Sequence, residues 1–95
     1  MSGWVYIVTN HPQGTLYVGV TSDLAKRAWE HREAGIDGFT ARYALKQLVF
    51  AELHETIQAA IQREKNIKRW PRNWKIELIE KTNPGWEDLY DRLML

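Results

Sequence analysis

Two stretches near the start of the chain alternate between outward and inward positions with a period of two. "WVYIVTN" (residues 4–10) and "TLYVGVT" (15–21) are rich in β-branched and aromatic residues and read as strands. Between them, "HPQG" (11–14) reads as a turn, with Pro12 fixing φ and Gly14 tolerating a positive φ. An antiparallel hairpin over 4–21 is expected. Alternation puts Trp4, Tyr6 and Val8 on one face and Val5, Ile7 and Thr9 on the other. In the second strand Tyr17 and Gly19 share a face, and Leu16, Val18 and Val20 share the opposite one. Gly19 leaves room for close approach to the backbone.

The period then changes. Leu24, Ala28 and His31 fall at i, i+4 and i+7, which predicts a helix to about Glu33, capped by Ser22 or Asp23. Arg27 and His31, themselves i and i+4, share or border its inward stripe. "AGIDG" (34–38) ends that helix, and residues 40–47 suggest a short one. "LVFAELHE" (48–55) reads as a third strand. Thr56 can cap a helix over 57–70, which must stop before Pro71. "WKIELIE" (74–80) reads as strand-like or extended, and Asn83 with Pro84 suits the start of a short final helix, "GWEDLYDRLM". The expected fold class is α+β: a small three-stranded antiparallel sheet flanked by helices. Ninety-five residues suit one domain spanning 1–95.

The helix over 57–70 holds an anomaly. Ile57, Ala60, Ile61 and Ile67 form its apolar stripe, and Glu64 stands in the middle of it. A carboxylate there needs an ion partner, a metal or a hydrogen-bond network. Arg27 is a candidate partner.

Composition removes several chemistries. The chain has no cysteine, so it has no disulfide, no thiolate zinc site and no cysteine nucleophile. No Ser-His-Asp order, no H-E-x-x-H motif, no Gly-rich phosphate loop and no second inward carboxylate for a glycosidase pair stands out. The first residues lack a basic region followed by a long apolar run, and no apolar stretch approaches ~20 residues. Neither a signal peptide nor a membrane span is expected, and a cytoplasmic location is the default.

Net charge is +1, yet the charge is unevenly placed. "REKNIKRWPRNWK" (63–75) has six basic residues and one acid. Such a run attracts a polyanion, or forms a solvated helix face. Its cations are Arg63, Lys65, Lys68, Arg69, Arg72 and Lys75.

The inward polar set of Tyr6, Tyr17, Arg27, His31 and Glu64 suits phosphodiester hydrolysis. Glu64 can hold one Mg²⁺ or Mn²⁺ that keeps most of its waters. Arg27 can fork onto a phosphate. A tyrosine can help to activate water, directly or through a neighbour.

These residues stand in a recognisable order. "VY" at 5–6, "YVG" at 17–19, Arg27 and His31, and Glu64 followed by Lys65 resemble the GIY-YIG nuclease superfamily. "GFTARY", "REKNIKRW" and "NPGWEDL" resemble signature stretches of its small stand-alone members. The first motif reads Trp-Val-Tyr rather than Gly-Ile-Tyr, and the second has Val for Ile. Both tyrosines and the glycine remain. The resemblance implies metal-dependent cleavage of DNA with one divalent ion. It implies that Tyr6 and Tyr17 line the site, Arg27 contacts the phosphate, His31 handles a proton or orients a neighbour, and Glu64 ligates the metal. Gly19 is the motif glycine, and Asn83 is the nearest match to a late supporting asparagine. The expectation is a DNA endonuclease that contacts the backbone, with selection of branched or nicked DNA, as in DNA repair, the form its specificity would take. The alternatives are a non-catalytic DNA-binding module of the same fold, or an interaction protein using Trp70, Trp74 and Trp86 as an aromatic patch.

Overall fold

The computed structural model describes residues 1–33 and 41–93. Three strands, β1 (Gly3–Thr9), β2 (Leu16–Thr21) and β3 (Gln47–His54), form one antiparallel sheet in the order β2-β1-β3. The helices are α1 (Leu24–Glu33), α2 (Ile57–Arg69), α3 (Arg72–Thr82) and the single turn α4 (Tyr90–Leu93). This is the expected α+β class.

The hairpin forms where the alternation places it. Its turn works differently from the expectation: Gln13, not Gly14, takes the left-handed conformation, with φ 56°. Gly14 is needed because a Cβ there would collide with the Asn10 side chain, whose Oδ1 accepts the Thr15 N–H.

Alternation sends each strand's side chains to two separate cores. Val5, Ile7, Val18, Val49 and Phe50 pack on one side with Ala60 and Ile67 of α2 and Ile79 of α3. Tyr6, Val8 and Leu48 pack on the other with Leu24 and Ala28 of α1 and with Leu45. Residues Leu24, Ala28 and His31 are the buried stripe of α1, as their spacing predicts. Thr56 caps α2, its hydroxyl accepting the Ala59 N–H at 3.1 Å.

Three local expectations are corrected. Residues 74–80 are helical, within α3, and not extended. A short run of apolar residues fits either period. Here Ile79 is buried against the sheet, with Ile76 and Leu78 partly buried beside it. Asn83 ends α3 rather than starting a helix, and Trp86 has φ 54°, so helical structure resumes only at Tyr90. There Asp88 Oδ1 accepts the Tyr90 N–H at 3.0 Å. Of the short helix expected over 40–47, only Ala41 and Arg42 are helical among the described residues, and Ala44 turns the chain with φ 55°. The expected helix end at 34–38, and residue 40, lie outside the described residues.

The segment after α3 protects the outer side of β3. The β1–β3 register shifts between Ile7 and Val8: Phe50 faces Ile7 and Leu48 faces Val8, leaving Val49 as the extra residue of a bulge. Asn83 Nδ2 donates to the Val49 carbonyl at 3.0 Å and to the Glu87 carbonyl at 2.9 Å. Its Oδ1 accepts the Glu87 N–H at 3.0 Å. Leu89 N–H donates to Leu48 O at 2.7 Å, and Asp88 Oδ1 accepts Leu48 N–H at 3.2 Å. Three backbone groups of this edge strand, the Leu48 N–H and the Leu48 and Val49 carbonyls, are thereby occupied internally.

Candidate active site

The strand register brings the two motif strands together at one point. Tyr6 lies directly opposite Gly19, and Tyr17 opposite Val8. Both tyrosines therefore share the α1 face, which alternation permits and the register between β1 and β2 decides. A Cβ at position 19 would run into the Tyr6 phenol. The space that Gly19 opens is thus filled by the Tyr6 ring, and Gly19 acts by seating that ring rather than by touching a ligand.

Helix α1 adds His31. Its Nε2 and the Tyr6 hydroxyl are 3.0 Å apart in a buried hydrogen bond. Both residues are almost fully enclosed, at 1% and 2% exposure. The imidazole centroid also lies 5.8 Å from the Tyr17 ring, tilted by 55°. Tyr17 is only partly buried, so the outer surface of this cluster is Tyr17. An aromatic hydroxyl and an imidazole in a dry environment lock each other's orientation more firmly than they would in water.

Helix α2 approaches the same tyrosine from the other side of the sheet. The Glu64 side chain is 13% exposed, and its Oε2 lies 3.2 Å from Lys68 Nζ, one turn on. That ammonium is in turn 5.9 Å from the centre of the Tyr17 ring. Glu64 thus reaches Tyr17 through Lys68, within the sum of those two separations. Ile61, expected on the same stripe, is 38% exposed, so the buried stripe of α2 is narrower than its apolar spacing suggests.

Arg27 does not pair with Glu64. Its Nε lies 3.3 Å from Glu30 Oε1, and its side chain is 40% exposed. It lines a polar pocket of about 170 Å³ with Thr21, Ser22, Asp23, Lys26 and Glu30. The guanidinium is therefore within reach of solvent, one helical turn before His31.

The basic run divides by job. Arg63 Nε donates to Glu52 Oε1 at 3.0 Å, and its guanidinium lies 5.1 Å from the Trp70 ring centre. Arg72 donates to the carbonyls of Gln13 and Gly14, both at 2.6 Å, fastening α3 to the hairpin turn. Lys75 Nζ donates to Lys68 O at 3.3 Å. Lys65 and Arg69 are exposed. Arg63, Arg72 and Asn83, expected at a substrate surface, are thus engaged in holding the fold. Burial raises the Glu52 carboxyl pKa, but hydrogen bonds and charge from Arg63 and His54 outweigh it and leave the pKa below the ordinary 4.5.

The aromatic patch is smaller than its sequence suggests. Trp86 is buried, and its Nε1 donates to Glu80 Oε2 at 2.7 Å. Trp70 and Trp74 meet edge to face at 5.9 Å and line a shallow groove with Glu77, Leu78 and Lys81.

Sequence reasoning passed over Lys68 as the partner of Glu64 and Glu30 as the partner of Arg27. Their i,i+4 and i,i+3 spacings were the available signals. Among the described residues no group of three or more His, Cys, Asp or Glu converges as a metal cage. A divalent ion at Glu64 would rest on one protein carboxylate, the rest of its shell being water or substrate oxygen. That donor set suits Mg²⁺ or Mn²⁺. The Lys68 ammonium beside the carboxylate shows that the position accepts a cation.

Comparison with known proteins gives a consistent picture. The family model of the GIY-YIG catalytic domain matches residues 2–77. A UPF0213 protein of Staphylococcus saprophyticus is 33% identical over 78 residues, 82% of this chain and 94% of the relative. A UPF0213 protein of Staphylococcus aureus (strain Mu50) is 34% identical over 80 residues, 84% of this chain and 96% of the relative. No solved structure gives a significant match.

Proposed function

The chain belongs to the GIY-YIG family, whose catalytic domain is of nuclease type, and from that premise we propose that it is a divalent-metal-dependent DNA endonuclease acting as one domain. The observation that carries this reading is the meeting at Tyr17 of the His31–Tyr6 pair from one side and the Glu64–Lys68 pair from the other. A buried, hydrogen-bonded cluster and a largely sheltered carboxylate flank the ring of one partly exposed tyrosine, which carries the hydroxyl. That hydroxyl is the group that would meet the water and the scissile phosphate.

The roles follow from exposure. Tyr17 presents its hydroxyl to the attacking water. His31 and Tyr6 are enclosed, so they act on Tyr17 by fixing its ring rather than by touching DNA. Arg27 exchanges Glu30 for a phosphate oxygen and forks onto it, which spreads the charge that develops there. Glu64 holds the ion, which when bound supplies positive charge at the phosphate and leaving oxygen. Exposed Lys65 and Arg69 meet the DNA backbone, which carries affinity without sequence information. Selection would then depend on DNA shape, which favours branched or nicked substrates.

The test is a cleavage assay with Mg²⁺ and Mn²⁺ on linear, nicked, forked and four-way DNA. Wild-type protein should nick at least one substrate, and Glu64→Gln should not, at unchanged thermal stability. DNA binding without cleavage of any substrate would replace this reading with that of a binding module.

A further inference from the structure

An ammonium already occupies the neighbourhood where the reaction needs a divalent cation. Lys68 Nζ lies 3.2 Å from Glu64 Oε2 and 5.9 Å from the centre of the Tyr17 ring. The two partners differ in setting: the carboxylate side chain is 13% exposed, whereas the lysine side chain is 49% exposed. The ammonium therefore sits on the outer side of the pair, at the end of a flexible four-carbon stem. It can leave without moving α2, and the face of the Tyr17 ring offers it a favourable surface nearby.

A divalent ion and this ammonium cannot both sit against one carboxylate, because like charges a few ångströms apart repel strongly. No other cage of acidic or imidazole ligands is present among the described residues to outbid the lysine. A single carboxylate holds Mg²⁺ weakly, so the resident ammonium is an effective competitor. The Arg27–Glu30 pair differs at its carboxylate, which is 28% exposed against 13% for Glu64, and pairs this open to solvent contribute little.

We propose that Lys68 is a resident counter-ion for Glu64, which the metal displaces and which then passes to a DNA phosphate. This rests on the metal-dependent reading above. It makes Lys68 a positioning residue that couples metal entry to DNA grip. In the metal-free protein Glu64 neutralises Lys68, which contributes little to backbone contact. With metal bound, Lys68 is released and counts as one more cation on the DNA.

The experiment measures Mn²⁺ binding by electron paramagnetic resonance, and the salt dependence of binding to nicked duplex DNA in EDTA and in Ca²⁺. Wild type, Lys68→Met, Lys68→Arg and Glu64→Gln are compared, with thermal unfolding as the folding control. Lys68→Met should bind Mn²⁺ about fivefold more tightly than wild type, as expected for removal of a competing ion pair. The logarithmic salt slope of wild type should exceed that of Lys68→Met by about 0.9 in Ca²⁺ and by much less in EDTA. Lys68→Arg should retain the wild-type pattern. If Lys68→Met matches wild type in Mn²⁺ affinity while Glu64→Gln loses the ion, the counter-ion role is overturned and metal at Glu64 stands. If Glu64→Gln binds Mn²⁺ as wild type does, the metal site at Glu64 fails, and the counter-ion role fails with it.

Discussion

The two faces of the sheet are built to opposite rules. The α2–α3 face is a continuous apolar core of Val5, Ile7, Val18, Val49, Phe50, Ala60, Ile67 and Ile79. The α1 face starts in the same way, with Val8, Leu24, Ala28, Leu45 and Leu48, but sinks the Tyr6–His31 hydrogen bond into the packing. A buried phenol and imidazole are worth little to stability compared with aliphatic packing, because each must recover in the protein the hydrogen bonds it gave up in water. Their expense is tolerable where they order a functional group. The apolar face is thus the part that holds the chain folded, and the α1 face carries orientation at some cost to stability.

Breaking the apolar face should have the largest effect. Ile67→Ala empties a fully buried site and should cost about 2–5 kcal/mol in urea unfolding. Activity should fall only as far as the folded fraction does. Glu64→Gln should do the reverse. It should reduce cleavage on the order of 10²–10³-fold, as loss of a key charge-stabilising group does, with little change in urea midpoint. Gly19→Ala sharpens the contrast. Its Cβ must push the Tyr6 ring aside, which should cost about 1–3 kcal/mol and also slow cleavage at temperatures where the variant is folded. Tyr6→Phe should have a smaller effect on stability, about 1–2 kcal/mol, from the hydrogen bond that His31 loses. Cleavage should suffer more than stability does; equal losses in the two would make Tyr6 an ordinary core residue.

The smallest effect concerns pH and lies away from the site. The Glu52 carboxyl has a folded pKa below its ordinary value, so its ion pair adds stability above about pH 4.5. That contribution fades as pH falls through 4.5 and the lower folded value. Being partly exposed, the pair should contribute less than about 1 kcal/mol. Comparing urea midpoints of wild type and Glu52→Gln at about pH 6 and about pH 3 checks the sign: the gap should narrow in acid.

What the amino-acid sequence determined by itself was periodic and local. Alternation put Tyr17 and Gly19 on one face of β2 and Tyr6 with Trp4 and Val8 on one face of β1, the 3–4 spacing buried Leu24, Ala28 and His31, and Thr56 marked the start of α2. These follow from backbone geometry that every residue of an element shares. The GIY-YIG order of motif residues was legible for the same reason, being written along the chain. The tertiary structure decided everything that required one element to meet another. It set Tyr6 against Gly19, turned residues 74–80 into a helix over the sheet, and spent Asn83 on the bulge carbonyl of Val49. It also gave Arg27 to Glu30 and Glu64 to Lys68, when pairing the two with each other was the simpler expectation. Long charged side chains choose among partners that differ by less than about 1 kcal/mol; helical spacing offered both of these pairs, and only the distance between α1 and α2 decided against Arg27–Glu64.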